Sequence, residues 1–369
     1  MRTLFSAVPA AGHLLPLVPL ADAAADAGHE TAFLSAADMA GYLGTRTLLP
    51  AGPEIPALFA ETERRTGGGD PRHPGAAAVE IFAGVRVDLT FDQALDKARR
   101  YAPDLMVCEA FDFVGPMIAA TLDLPWAAHA VSASLPVPLS DALHERATAQ
   151  YVARGLSPRR RFALIDSLPD ALRSADDLPL PDDRVAVRPE AHRGQATGAA
   201  APKLPTGRPR VLVTAGTSVR DLDLVASLAT SVADAGYEVA VTAELGTLPQ
   251  HPSVHEIGFV PLAHLLPELD AVVGTAGLGT VVATLAAGLP AVLRPVLADQ
   301  PWNAQRVAAA GAGVTIEDPA EAGPAVRTVL VDPAYRAAAQ DAAAAIGSMP
   351  APAAILDELL IRAGLSTRT

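Results

Sequence analysis

Two short β-rich runs, RTLFSA at Arg2–Ala7 and RVLVTA at Arg210–Ala215, each enter a glycine-containing turn, and a helical stretch and a second strand follow each of them. The helical stretches also end alike. ADAGHETAF from Ala25 and ADAGYEVAV from Ala233 put Gly28 and Gly236 at the helix C-terminus with β-rich residues behind them, and both pairs of segments are 208 residues apart. A strand, a crossover helix and a second strand make a unit that pairs in parallel. Two such openings in one chain predict an α/β protein with two Rossmann-like, doubly wound parallel sheets. A chain of 369 residues exceeds one ordinary core, which agrees with two domains. Between the openings, RGQATGAAAPKLPTGR at 193–208 lacks periodicity and is rich in Gly, Ala, Pro and Thr, as expected of a linker. The predicted organisation is a first domain over 1–195, a linker over 196–208, a second domain over 209–350, and a C-terminal helix over 351–369 that returns to the first domain.

In the first half, strands are expected near 2–8, 30–35, 104–108 and 125–131. In the second they are expected near 210–215, 237–242, 254–258, 271–273, 291–295 and 313–316. Two regions break the rhythm: Glu61–Gly75, a Gly-, Pro- and charge-rich loop, and Asp141–Arg161, a mixed segment ending in three arginines.

Composition narrows the function classes. Half the residues are hydrophobic, which excludes wholesale disorder. The formal net charge of −13 argues against a nucleic-acid or anionic-membrane surface as the main partner. The single cysteine, Cys108, excludes intramolecular disulfides and thiolate cages for zinc. The first residues lack the pattern of a signal peptide and no run of about 18 apolar residues occurs, so a soluble cytoplasmic protein is expected.

The segment Phe259–Gly313 carries the most chemistry. A short strand at Ala271–Val273 runs into the small-residue turn GTAGLGT and then into a helix from about Thr280 to Ala287. Such a turn offers backbone N–H groups to an anion with the positive end of a helix dipole behind it, so it suits a pyrophosphate without a metal. After a second strand, Ala291–Pro295, Asp299 and Gln300 supply groups that grip hydroxyls. In the first half, His13 follows Gly12 in the turn after the opening strand, at the edge where open α/β sheets bind ligands. A histidine there is suited to take a proton near neutral pH.

Together these features resemble the GT-B glycosyltransferases of family 1, in particular those that decorate bacterial natural products. The resemblance spans nearly the whole chain. It is strongest in Phe259-Val260-Pro261, in the turn Gly274–Thr280, in Ala286–Pro290, and in Asp299-Gln300 with Asn303-Ala304. It implies two Rossmann-like domains facing across a cleft, with the acceptor held by the first and a nucleotide-sugar by the second. By the same resemblance, Phe259 and Val260 face the nucleotide base, and Gly277, Gly279 and Thr280 hold the diphosphate. Asp299 and Gln300 hold the sugar, and Gly216-Thr217-Ser218 forms a second donor-facing turn. His13 is the implied general base, oriented by Glu109, with Asp112 in reserve. Phe82, Phe111 and Phe113 are candidates for the acceptor pocket, as are Phe59, Ile81 and Trp126. The same residue types also build ordinary cores.

The implied reaction is an inverting, metal-independent transfer of a sugar, a deoxysugar by the resemblance, from a TDP- or UDP-sugar to a natural-product aglycone. The nucleotide-sugar is a co-substrate, no cofactor is implied, and a homodimer is left open. The chain departs from the family at Gly274, where the pattern has a diphosphate-binding histidine, and at Ala276, where glycine is usual. Loss of one such donor costs roughly 1.5–3 kcal/mol of binding. A non-catalytic or auxiliary nucleotide-sugar-binding protein therefore stays open as the alternative. Three other signals have simpler explanations. Asp221-Leu222-Asp223 matches a metal-binding DxD but opens a helix, where acidic residues cap. His251, His255 and His264 lack metal-ligand spacing. A nicotinamide-cofactor reading of the GxG turn leaves the Asp299–Asn303 pattern without a role.

Overall fold

The structure is a computed structural model that describes residues 1–133, 135–174, 177–191, 204–242, 246–258 and 260–365. The chain divides into two compact units. The first comprises Met1–Ser167, Asp176–Val187 and Pro350–Thr369, and the second Leu168–Ala175 and Arg188–Met349. Of the expected linker 196–208, only 204–208 lie within the described residues.

The first unit is built on seven parallel strands: β1 (Arg2–Ser6), β2 (Glu30–Ser35), β3 (Thr47–Pro50), β4 (Leu105–Glu109), β5 (Trp126–His129), β6 (Ala163–Asp166) and β7 (Arg184–Ala186). Their order is β3-β2-β1-β4-β5-β6-β7. The second unit has six: β8 (Arg210–Thr214), β9 (Glu238–Val241), β10 (Val254–Glu256), β11 (Ala271–Gly274), β12 (Ala291–Leu293) and β13 (Gly313–Thr315), in the order β10-β9-β8-β11-β12-β13. Both sheets bury apolar residues on two faces, so their central strands carry apolar residues in successive positions. In β1, Leu4 joins one buried cluster with Met106 and Met117. Its neighbour Phe5 joins the opposite one with Phe33, Val107 and Ile165. In β8, Val211 and Val213 face one cluster and Leu212 the other. Together these are the two doubly wound parallel α/β sheets that the sequence predicts.

All six strands expected in the second half are present. Three in the first half escaped the pattern. Thr47–Pro50 ends in a proline, which reads as a break, and Arg184–Ala186 has only three residues at a sheet edge. Ala163–Asp166 follows directly on the arginine run. Part of the expected loop at Glu61–Gly75 is helical: Ile55–Thr66 is a helix whose last turns carry Arg65–Glu61 and Arg64–Glu61 pairs. It stops where Gly67 takes a left-handed φ of 70°. Likewise Val137–Ala153 is one helix, and Arg159 and Arg161 are paired with Asp123 and Asp183. The chain's last helix, Leu356–Arg362, packs in the first unit, where Ile355 and Leu359 join the cluster of Phe5, Leu17 and Leu20. Among the described residues no single helix is long and apolar enough to cross a membrane.

Candidate active site

In each sheet the strand order reverses at one place, between β1 and β4 in the first and between β8 and β11 in the second. Loops leaving the C-terminal ends of those strands diverge to opposite faces and leave a crevice, the usual ligand site of open α/β sheets.

At the first reversal, Ser6 pairs with Cys108, so the residues after β1 and the end of β4 emerge side by side. His13 lies in a single helical turn, Ala11–Leu14, and Glu109 is the last residue of β4. His13 Nδ1 is 3.2 Å from Glu109 Oε1. Glu109 is 1% exposed, yet its carboxylate is well held. Oε1 accepts from the Val8 N–H at 3.3 Å and Oε2 from the Phe111 N–H at 2.8 Å. The two backbone donors fix the carboxylate's orientation and keep Oε1 against the imidazole. The His13 ring lies against Phe82 and Phe111, with centroids 5.7 and 5.5 Å away. Phe113 packs half-buried beside these two, next to Leu143 and Ala147. Ile81 is buried core, Phe59 packs half-buried on Leu58 and Val85, and Trp126 donates its indole N–H to the Arg159 carbonyl.

Asp112 is committed elsewhere. Its carboxylate accepts from Arg86 at 2.6 Å, from the Ser6 hydroxyl, and from the Val114 N–H at 3.1 Å, at the start of the helix Val114–Leu122. Arg86 also donates to the Ala7 carbonyl at 2.7 Å. This buried pair ties the turn after β1 to the turn after β4. Gly115 lets the helix come this close, since a Cβ there would lie 2.5 Å from Cys108 Sγ. His129 at the end of β5 lies opposite Glu109 in the ladder, and burial pushes it down to about 4. Burial likewise pushes the Cys108 thiol well up, so that thiol is a packing group.

At the second reversal, Gly274 closes β11 and the helix starts at Leu278, with Gly277 as its cap residue. Gly277 brings no side chain to the cap, so the first-turn N–H groups of Leu278, Gly279 and Thr280 have no capping partner from it. Ala276 has a left-handed φ of 64° and so keeps the conformation that glycine would favour. A Cβ on Gly274 would stand 3.1 Å from the Thr214 carbonyl, whereas Thr275 turns its hydroxyl to the Ala215 carbonyl at 3.1 Å. The side chain that bridges the two turns thus belongs to the residue after Gly274. Gly216, Thr217 and Ser218 form an exposed turn. They do not cap the helix Leu222–Asp234, because Asp221 does so by accepting from the Leu224 N–H at 2.9 Å. His255 pairs with Glu238 and His251 with Asp234, which are structural contacts.

Asp299 precedes the helix Gln300–Ala309 and follows Ala298, another alanine at positive φ, 53°. Gln300 is buried, and its Oε1 accepts from the N–H groups of Val296 and Leu297, so this oxygen closes the loop and only the amide N–H groups remain for a ligand. Val260 packs half-buried on the Leu212 and Leu265 cluster, and Phe259 lies outside the described residues. Residues absent from the expected site but built into it are Arg86, His129, Thr275 and Asn303. A lone polar residue in an apolar run was the only sequence signal for the first two.

Comparison with known proteins agrees with this arrangement. Residues 226–361 match the family model of the erythromycin biosynthesis protein CIII-like C-terminal domain. The chain is 31% identical to the L-demethylnoviosyl transferase of Streptomyces niveus, with 97% of each chain covered. It is 32% identical to the elloramycin glycosyltransferase ElmGT of Streptomyces olivaceus, covering all of this chain and 99% of that one. The chain belongs to the natural-product glycosyltransferases of family 1. Among solved structures, the glycosyltransferase SsfS6 of Streptomyces sp. SF2575 complexed with thymidine diphosphate superposes with a TM-score of 0.84 at 26% identity, covering 97% of this chain and 99% of that one. SnogD of Streptomyces nogalater does so with a TM-score of 0.80 at 27% identity and 99% coverage of both. In this glycosyltransferase, then, the two sheet reversals carry different chemistry: a histidine–carboxylate pair on the first, and a helix start with an unfilled cap on the second.

Proposed function

We propose that this protein transfers a sugar, a deoxysugar carried on TDP in preference to UDP, to a hydroxyl of a natural-product aglycone with inversion at the anomeric carbon. The observation that carries the reading is the His13–Glu109 pair. With Nδ1 against the carboxylate, Nε2 is the nitrogen that takes the acceptor's proton as its oxygen attacks. Glu109 holds the ring and offsets the imidazolium charge. Attack comes from the face opposite the departing diphosphate, which inverts the configuration. The leaving diphosphate rests on the N–H groups at the start of Leu278–Ala286, so no step calls for a metal. Gly216-Thr217-Ser218 closes on it from the neighbouring strand end, Val260 with Phe259 meets the base, and Asp299 and Gln300 hold the sugar. Phe82 and Phe111 give the acceptor an apolar wall beside His13. Relatives named for sugar transfer and the thymidine diphosphate in SsfS6 support the donor class.

The test is His13→Ala with a panel of TDP- and UDP-sugars and natural-product aglycones. Turnover is expected to fall about 10²-fold or more while TDP-sugar affinity stays within about threefold. Unchanged turnover removes His13 from the mechanism. Wild-type protein that binds the donor but transfers to no acceptor supports the auxiliary reading that Gly274 keeps open.

A further inference from the structure

We propose that Asn303 is a positioning residue that locks the diphosphate turn and the sugar-facing carboxylate in one arrangement; this rests on the donor-site reading above. Asn303 lies one turn into the helix Gln300–Ala309 and is 1% exposed. Its Nδ2 donates to the Ala276 carbonyl and to Asp299 Oδ2, each at 3.0 Å. Both neighbours are acceptors, so the amide has only one orientation that satisfies them, with N–H groups toward the two loops. Its Oδ1 is then buried without a hydrogen-bond partner among the described residues. Such an arrangement is held for the sake of the two bonds on the other side.

Both loops it reaches are strained. Ala276 and the residue before Asp299, Ala298, have left-handed φ values of 64° and 53°. Alanine adopts that region only where its surroundings impose it. A hydrogen bond to the Ala276 carbonyl directs the following peptides, whose N–H groups open the helix under the diphosphate. The second bond directs the carboxylate. Asn303 therefore transmits the placement of one ligand half to the other, as a supporting residue orients groups that touch substrate.

The experiment measures thymidine diphosphate and TDP-glucose binding by calorimetry in the full chain, for wild type, Asn303→Ala, Asp299→Ala and the double variant. In the wild-type background Asp299→Ala is expected to weaken TDP-glucose about tenfold and thymidine diphosphate less than about twofold. Asn303→Ala is expected to weaken thymidine diphosphate about three- to tenfold and TDP-glucose further. In the Asn303→Ala background the added effect of Asp299→Ala on TDP-glucose shrinks below about threefold, because the carboxylate has lost the bond that aims it. If Asn303→Ala does not fold, Asn303→Ser, which keeps one donor, carries the same comparison. An Asp299→Ala effect equal in both backgrounds overturns this inference and leaves the donor reading standing. Wild-type protein that binds neither ligand overturns both.

Discussion

His129 offers a quantitative test of the architecture under the His13–Glu109 pair. It is 2% exposed, its Nδ1 lies 2.9 Å from the Ala130 carbonyl, and burial holds its pKa at about 4 against an ordinary 6.5. The nearby Asp166 and Glu109 charges pull the other way but do not offset burial. Above pH 6.5 the ring is neutral in both states and contributes no pH dependence. As the pH falls from 6.5 toward 4 the unfolded chain takes up a proton that the folded chain refuses, so stability is lost on acidification. With those two pKa values the loss is about 2 kcal/mol at pH 5 and about 3 kcal/mol at pH 4. His129→Asn keeps a donor near the Nδ1 position and removes the titration, at a pH-independent cost of about 1–2 kcal/mol for the lost ring. Urea unfolding of both proteins between pH 7.5 and 4.5 gives the difference directly, since the carboxylates shared by both cancel. The variant's deficit should shrink on acidification and reverse near pH 5. Parallel stability curves would refute the buried neutral ring.

Three further outcomes follow from the same geometry. Glu109→Gln should cut turnover about 10²-fold or more, and it should also cost about 1–3 kcal/mol in thermal unfolding, because an amide cannot accept from both the Val8 and Phe111 N–H groups. Arg86→Met leaves Asp112 buried and unpaired, so chemical denaturation should register a loss of about 3–5 kcal/mol, with Asp112→Asn in the same chain recovering part of it. Asp221→Ala removes only a helix cap and should cost about 1 kcal/mol, with EDTA and added divalent cations leaving its turnover, relative to wild type, unchanged.

The residues proposed to touch chemistry were more legible than those that hold them. His13 stands in the turn after a strand and Glu109 at a strand end, both beside small residues, and Asp221 announces its cap by the helix after it. Arg86 sits between valines in a helical stretch, and its burial depends on a long-range partner, Asp112, that local pattern does not reveal. The same limit hid the Thr275–Ala215 bridge, which joins strands far apart in the chain. Asn303 was visible as a motif letter, but its two bonds depend on where Ala276 lies. The first sheet was read less completely than the second because its missed strands are short and punctuated by proline or arginine, which local pattern treats as breaks.

The division of the chain has a consequence for synthesis. The first unit takes its final piece from residues beyond 349, so the 162 residues of Arg188–Met349 leave the ribosome before that piece exists. At about 5–20 residues per second this leaves the surface around Leu17 and Leu20 waiting roughly 10–30 s for Ile355 and Leu359. The sugar-nucleotide half can fold as it emerges. The half that carries His13 lacks Ile355 and Leu359 until the end of translation, and a premature stop after the second unit yields a protein whose missing part belongs to the first.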